Sequence, residues 1–166
     1  MNQKKIVESI ASKPHMVTFV KAMNYIPTVI MYVAFAAVLL LAFRKSAVLM
    51  LEIAVICAVP FFVISFLRAK INAPRPEEIY GFSPIVPCRP GNSFPSRHAL
   101  SAALIATVSF RISVIIGIFL SFIAIVLCVF RYVAGVHRLR DLVFGLFFGV
   151  IFGVVGLCVL YSFNAI

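Results

Sequence analysis

The chain has 166 residues, 63% of them apolar and 12% charged, with a mean hydropathy of +1.12. Soluble domains carry about a quarter charged residues, and here the apolar residues come in long runs, so the composition excludes a water-soluble globule and points to a membrane protein. The net charge of +10 suits anionic lipid or a bound phosphate; a nucleic-acid partner is disfavoured, because the basic residues sit in short loops between apolar runs rather than along one face.

The N-terminal stretch from Lys4 to Met23 spaces Ile6, Ile10, Val17, Val20 and Met23 among Lys4, Lys5, Lys13 and Lys21. It predicts an interfacial amphipathic helix interrupted at Pro14. No sufficiently apolar stretch follows Lys4 and Lys5 to make a signal peptide. Five segments then approach the roughly 20 residues that span a bilayer as helix. The first, 25–43, stops at Arg44-Lys45; the second, 47–67, stops at Arg68 and Lys70, with Pro60 placed to kink it. The third, 96–110, is short and rich in Ala and Ser, which suits a bundle interior. The fourth is 112–130 and the fifth 142–163, where Gly145, Gly149 and Gly153 form a small-residue stripe for close helix packing. The expected fold is all-α, a single membrane-embedded domain over 1–166: interfacial helix 1–23, two spans in 24–67, a polar loop 68–95, and three spans in 96–166.

That loop holds Pro74, Pro76, Pro84, Pro87, Pro90 and Pro95 with Gly81 and Gly91, a composition that cannot continue a helix. Long loops of this kind are often functional. The cysteines carry little: Cys57, Cys128 and Cys158 lie in apolar runs, Cys88 stands alone in the loop, and no metal-ligand spacing occurs.

If each segment crosses once, the end of the second, the start of the third, the end of the fourth and the start of the fifth share one face. That brings Arg68, Lys70, Arg75, Ser96, Arg97, His98, Arg131, His137 and Asp141 together. Arginines and a helix N-terminus trap oxyanions, with Asn92 or Ser93 as the expected cap and Pro95 in the first turn. His137 and Asp141, four apart, share a helix face, so the carboxylate can hold one imidazole nitrogen as N–H and free the other as a nucleophile. His98 is then placed to act as general acid. Arg89, Arg138 and Arg140 read as arginines that meet lipid headgroups, and His15 as structural.

These residues resemble the type 2 phosphatidic acid phosphatase superfamily, whose signature runs K-x6-R-P, P-S-G-H and S-R-x5-H-x3-D. Here the elements read Arg68 with Arg75-Pro76, then Pro95-Ser96-Arg97-His98, then Phe130-Arg131, His137 and Asp141. Three positions depart: Arg68 (or Lys70 nearby) for the lysine, Arg97 for the glycine, and Phe130 for a serine. The resemblance implies a metal-independent phosphatase without cofactor, acting on a phospholipid or polyprenyl phosphate. It assigns His137 as nucleophile, Asp141 as its orienter and His98 as proton donor. Arg75, Arg131, Ser96, the Arg97 backbone and Arg68 or Lys70 would hold the phosphate.

Undecaprenyl pyrophosphate, phosphatidylglycerol phosphate, phosphatidic acid and a lipid A-type phosphate all stay open as substrates, and the first is favoured by analogy. A phosphotransferase, or an anion-binding membrane protein or transporter, are the competing classes. Counting positive charges puts the site in the cytoplasm. The family resemblance instead implies a bacterial inner-membrane protein with an extracytoplasmic site.

Overall fold

The computed structural model describes residues 3–164, with side chains described to Tyr161. Among them the regular elements are helices: α1 (Gln3–Ala11), α2 (Pro14–Lys45), α3 (Ala47–Ile71), α4 (Pro76–Tyr80), α5 (Arg97–Ser109), α6 (Val114–Val133) and α7 (Leu139–Asn164). Lipid demands such a solution, since a spanning helix satisfies its own backbone hydrogen bonds. α2, α3, α6 and α7 are each long and apolar enough to cross a membrane. Their outward side chains, such as Val33, Phe62, Ile115 and Phe122, are exposed, as expected where lipid is the solvent.

Two boundaries differ from the sequence expectation. Pro14 does not interrupt a helix but starts one: it occupies the first turn of α2, where its fixed φ and missing N–H cost nothing. Residues 14–23 therefore belong to the first spanning helix, and only α1 remains a separate amphipathic element. Its inner face, Val7 and Ile10, packs against Val86, Ala134 and Val136, so that apolar face is satisfied by the protein itself. Pro27 and Pro60 lie inside α2 and α3 without ending either. A single residue, Ser46, separates these two helices. Its N–H donates to Ala42 O (2.9 Å) to close α2, and its Oγ accepts from Val48 N (3.1 Å) to open α3.

The second difference is α5. Thirteen residues rise only about 20 Å, against a hydrocarbon core of about 30 Å. Four helices are thus long enough to span, and the predicted third span is a short central strut packed by α7, α6 and α3. Ala99, Leu100, Ala102, Ala103, Leu104 and Ala106 are all buried in it. The small residues let α7 approach closely, and the glycine stripe completes the fit. A Cβ added at Gly145 would lie 2.6 Å from Ser96 O, and one at Gly149 2.6 Å from both Leu100 O and Ala103 Cβ. The approach has a consequence for the site: Ser96 N donates to Asp141 O (2.9 Å), tying the start of α5 to the first turn of α7.

Gly149→Ala drives a methyl into backbone that cannot move aside. Overpacking of this kind costs about 1–3 kcal/mol, so thermal unfolding in detergent should show a lowered midpoint. An unchanged midpoint would mean that the α5–α7 approach does not need the glycine.

Candidate active site

The start of α2, the ends of α3 and α6, and the starts of α5 and α7 share one end of the bundle, and the 72–96 loop folds over it. Asn72, at φ 43°, stops α3, and Ser93 N donates back to Ala73 O (2.9 Å). The Glu78 carboxylate accepts from the backbone N–H of Arg75 (2.8 Å) and of Gly91 (2.8 Å). Gly91 adopts φ +65°, and a Cβ there would collide with Asn72 Oδ1. These bonds turn a proline-rich segment that has no ladder of its own into a fixed wall.

Beneath the wall lies a cavity of about 410 Å³ lined by Arg68, Arg75, Arg97, His98, Arg131 and His137, with Arg89 at the loop. No carboxylate lines it. Backbone carbonyls hold two of the cations, Arg68 and Arg75, instead. Arg68 donates to Asn92 O. Arg75 Nε donates to Gly91 O (3.1 Å), and its Nη1 donates to Val136 O (3.0 Å). Arg131 Nη2 lies 3.5 Å from Thr28 Oγ1 on α2. Guanidinium groups fixed this way keep a rigid fork for an oxyanion.

His137 is not on a helix, as its spacing from Asp141 suggested; it lies in the turn just before α7, and Asp141 sits in that helix's first turn. His137 Nδ1 and Asp141 Oδ2 are 4.0 Å apart, too far for a direct hydrogen bond. Ser93 stands between them. Its hydroxyl donates to Asp141 Oδ2 at 2.6 Å and lies 3.5 Å from His137 Nδ1. A hydroxyl has one proton; with that proton on the carboxylate, Ser93 faces the imidazole as an acceptor. The arrangement favours the tautomer with hydrogen on Nδ1, leaving Nε2 with a free lone pair. Burial, with Arg75 and Arg68 nearby, drives the His137 pKa well below the usual 6.5, because both effects disfavour imidazolium.

Some predicted site residues fall elsewhere. Lys70 is exposed, its ammonium 4.7 Å from the centre of the Phe66 ring, and it does not line the cavity; Arg68, two residues earlier, does. Ser96 is wholly buried, and its hydroxyl caps α5 by accepting from Ala99 N (3.4 Å). The cap is therefore Ser96, rather than Asn92 or Ser93. Asp141 is also wholly buried, behind His137. Arg138 and Arg140 pair with it, Arg138 Nε at 3.4 Å from Oδ2 and Arg140 Nε at 3.5 Å from Oδ1, whereas Arg89 joins the cavity. Ser93 and Thr28 join the site without any sequence signal, because neither stands at a telling interval from a histidine or arginine. Among the described residues no three His, Cys, Asp or Glu side chains group to hold a metal ion.

A sequence-family model described as the PAP2 superfamily matches residues 47–165. The chain belongs to the PAP2 superfamily. No curated protein matches it at a significant level, but two solved structures share the fold. LpxE from Aquifex aeolicus is 25% identical with a TM-score of 0.73, over 93% of this chain and 92% of that one. A transmembrane PAP2-type phosphatidylglycerolphosphate phosphatase from Bacillus subtilis is 18% identical with a TM-score of 0.69, over 98% of this chain and 84% of that one. With the family comes the reaction class: this PAP2 protein is an integral membrane lipid phosphatase.

The His137 environment can be read directly. In ¹⁵N-histidine spectra of the detergent-solubilised protein at pH 6, His137 should be neutral with its proton on Nδ1; an imidazolium signal would contradict the burial argument. Stability should follow. Below pH ~6.5 the unfolded chain takes up a proton that the folded chain refuses, so the unfolding free energy falls as pH drops through that range.

Proposed function

We propose that this PAP2 protein removes phosphate from a lipid monoester or pyrophosphate through a phosphohistidine formed on His137. One observation carries the reading: His137 lines a cavity rich in arginine and free of carboxylate, while Ser93 and Asp141 stand behind its Nδ1. Nε2 attacks phosphorus, and the bond from phosphorus to the lipid oxygen breaks. His98 lines the same cavity. Burial and the surrounding arginines keep it neutral before phosphate binds. It takes up a proton as the anionic phosphate enters, then protonates the leaving oxygen. Water then attacks the phosphohistidine, gives its proton to His98 and releases phosphate. Arg68, Arg75, Arg97 and Arg131 stabilise the charge on the three equatorial oxygens, and no metal is required.

The lipid chain has a path. Arg97 and His98 line a second pocket, shared with Thr28, Tyr32 and Phe61. Tyr32 and Phe61 continue into an apolar cleft of about 360 Å³ between α2 and α3, floored by Leu104 and Ile105 of α5. A headgroup among arginines and a chain in this cleft suit a phospholipid or polyprenyl phosphate. Undecaprenyl pyrophosphate heads the candidates, ahead of phosphatidylglycerol phosphate, phosphatidic acid and a lipid A-type phosphate. We place the protein in a bacterial inner membrane with the site on the extracytoplasmic face.

Phosphate release from the first three lipids, measured with EDTA present, tests the chemistry. Wild type should turn over at least one of them, and His137→Ala should lose roughly 10³-fold or more while unfolding at the same temperature. Loss with EDTA would remove the metal-free mechanism. An inert wild type would favour a transferase or a binding protein.

Orientation is tested separately with Arg89→Cys in a chain whose native cysteines are replaced. Labelling of intact cells by an impermeant maleimide is expected; labelling only after lysis puts the site in the cytoplasm.

A further inference from the structure

The turn that carries His137 is held by groups distant in sequence. Three of its backbone carbonyls are partnered from afar: Ala134 O accepts from Ile85 N (3.0 Å), and Val136 O accepts from Arg75 Nη1 (3.0 Å). The last, the carbonyl of His137 itself, accepts from Gln3 Nε2 (2.9 Å), and the same amide donates to Tyr132 O (2.8 Å). Both protons of one amide group are thus engaged, one at the end of α6 and one at the histidine. Gln3 is 6% exposed, so water does not readily replace these bonds. Val7, one helical turn on, reinforces them. A Cβ at Gly135, which sits at φ +77°, would meet Val7 Cγ2 at 3.1 Å, so α1 rests directly on the turn.

We propose that Gln3 is a positioning residue for the nucleophile, and that α1 is the strap holding it there. The proposal rests on His137 being the nucleophile, as proposed above. Ser93 and Asp141 control one imidazole nitrogen, and Asp141 Oδ2 also accepts from the Arg138 N–H (3.1 Å), but neither reaches the carbonyl of His137. Arg75 and Ile85 hold the backbone carbonyls of residues 136 and 134, and Gln3 holds that of residue 137. It does so without touching the phosphate cavity, which it does not line. Its loss should therefore change the line of attack rather than substrate binding.

Gln3→Met keeps the length of the side chain and removes both donors. The expected result is a fall in kcat of about 10–100-fold, the scale of an ångström-level misplacement of reacting groups. KM and the inhibition constant of inorganic phosphate should stay within about twofold, because the arginines are untouched. Wild-type kcat in this variant, or a loss confined to KM, would overturn the proposal. If Gln3→Met does not fold, Gln3→Asn serves, with both donors kept but drawn back by one methylene. It should lose kcat in the same manner, and full activity would overturn the proposal. Should wild type prove inert on every lipid, the phosphatase reading fails and Gln3 is judged by spectroscopy. Either substitution must shift the ¹⁵N resonances of the His137 ring, and unmoved resonances reject its positioning role.

Discussion

Five arginines facing one cavity repel one another, and the protein offers no carboxylate at the cavity wall to offset them. Of the acids nearby, Asp141 is buried and already paired with Arg138 and Arg140, and Glu78 is turned to backbone N–H groups. Arg68 and Arg75 are instead held by dipoles, the carbonyls of Asn92, Gly91 and Val136. Carbonyls fix a guanidinium without neutralising it. The cavity therefore keeps its positive potential for an anion, where an ion pair would have cancelled it. Everything else about the site follows from this requirement, because carbonyls can serve only if the loop presenting them is rigid. The bonds of Glu78 to two backbone N–H groups, the turn at Gly91 and the return of Ser93 to Ala73 supply that rigidity.

The second constraint is the length of α5. α5 has thirteen residues, against twenty or more in α6 and α7. Its start sets the half-buried His98 and the exposed Arg97 at the head of the apolar cleft between α2 and α3. A headgroup can then meet charge while its chain remains among apolar side chains. The same shortness makes α5 the piece that others pack around, so the alanines of α5 and the glycines of α7 bear on the site as well as on stability. Their close approach lets Ser96 N reach Asp141 O, and that bond sets the first turn of α7 against the start of α5.

Amphipathicity, in contrast, proved ambiguous. The apolar residues of the N-terminal stretch suit either a bilayer surface or a protein surface, since both are apolar solvents for one helix face. The structure uses Val7 and Ile10 against the turn that carries His137, and gives residues 14–23 to the first spanning helix.

The sequence by itself determined the solvent, the helical class and the convergence of the motifs. Runs of apolar residues long enough to span a bilayer admit little but helices, and parity along the chain then brings Arg68, His98, Arg131 and His137 to one end. Spacing also picked out Asp141 as the partner of His137. It could not show that Ser93 stands between them, that Ser96 is a cap, that Lys70 lies outside the cavity, or that Gln3 reaches a carbonyl 134 residues away. Those are contacts between segments with no shared periodicity, set by where a proline-rich loop folds back and how closely two helices approach. Only the tertiary structure decides them, because a hydrogen bond depends on tenths of an ångström while a sequence pattern specifies no more than a face.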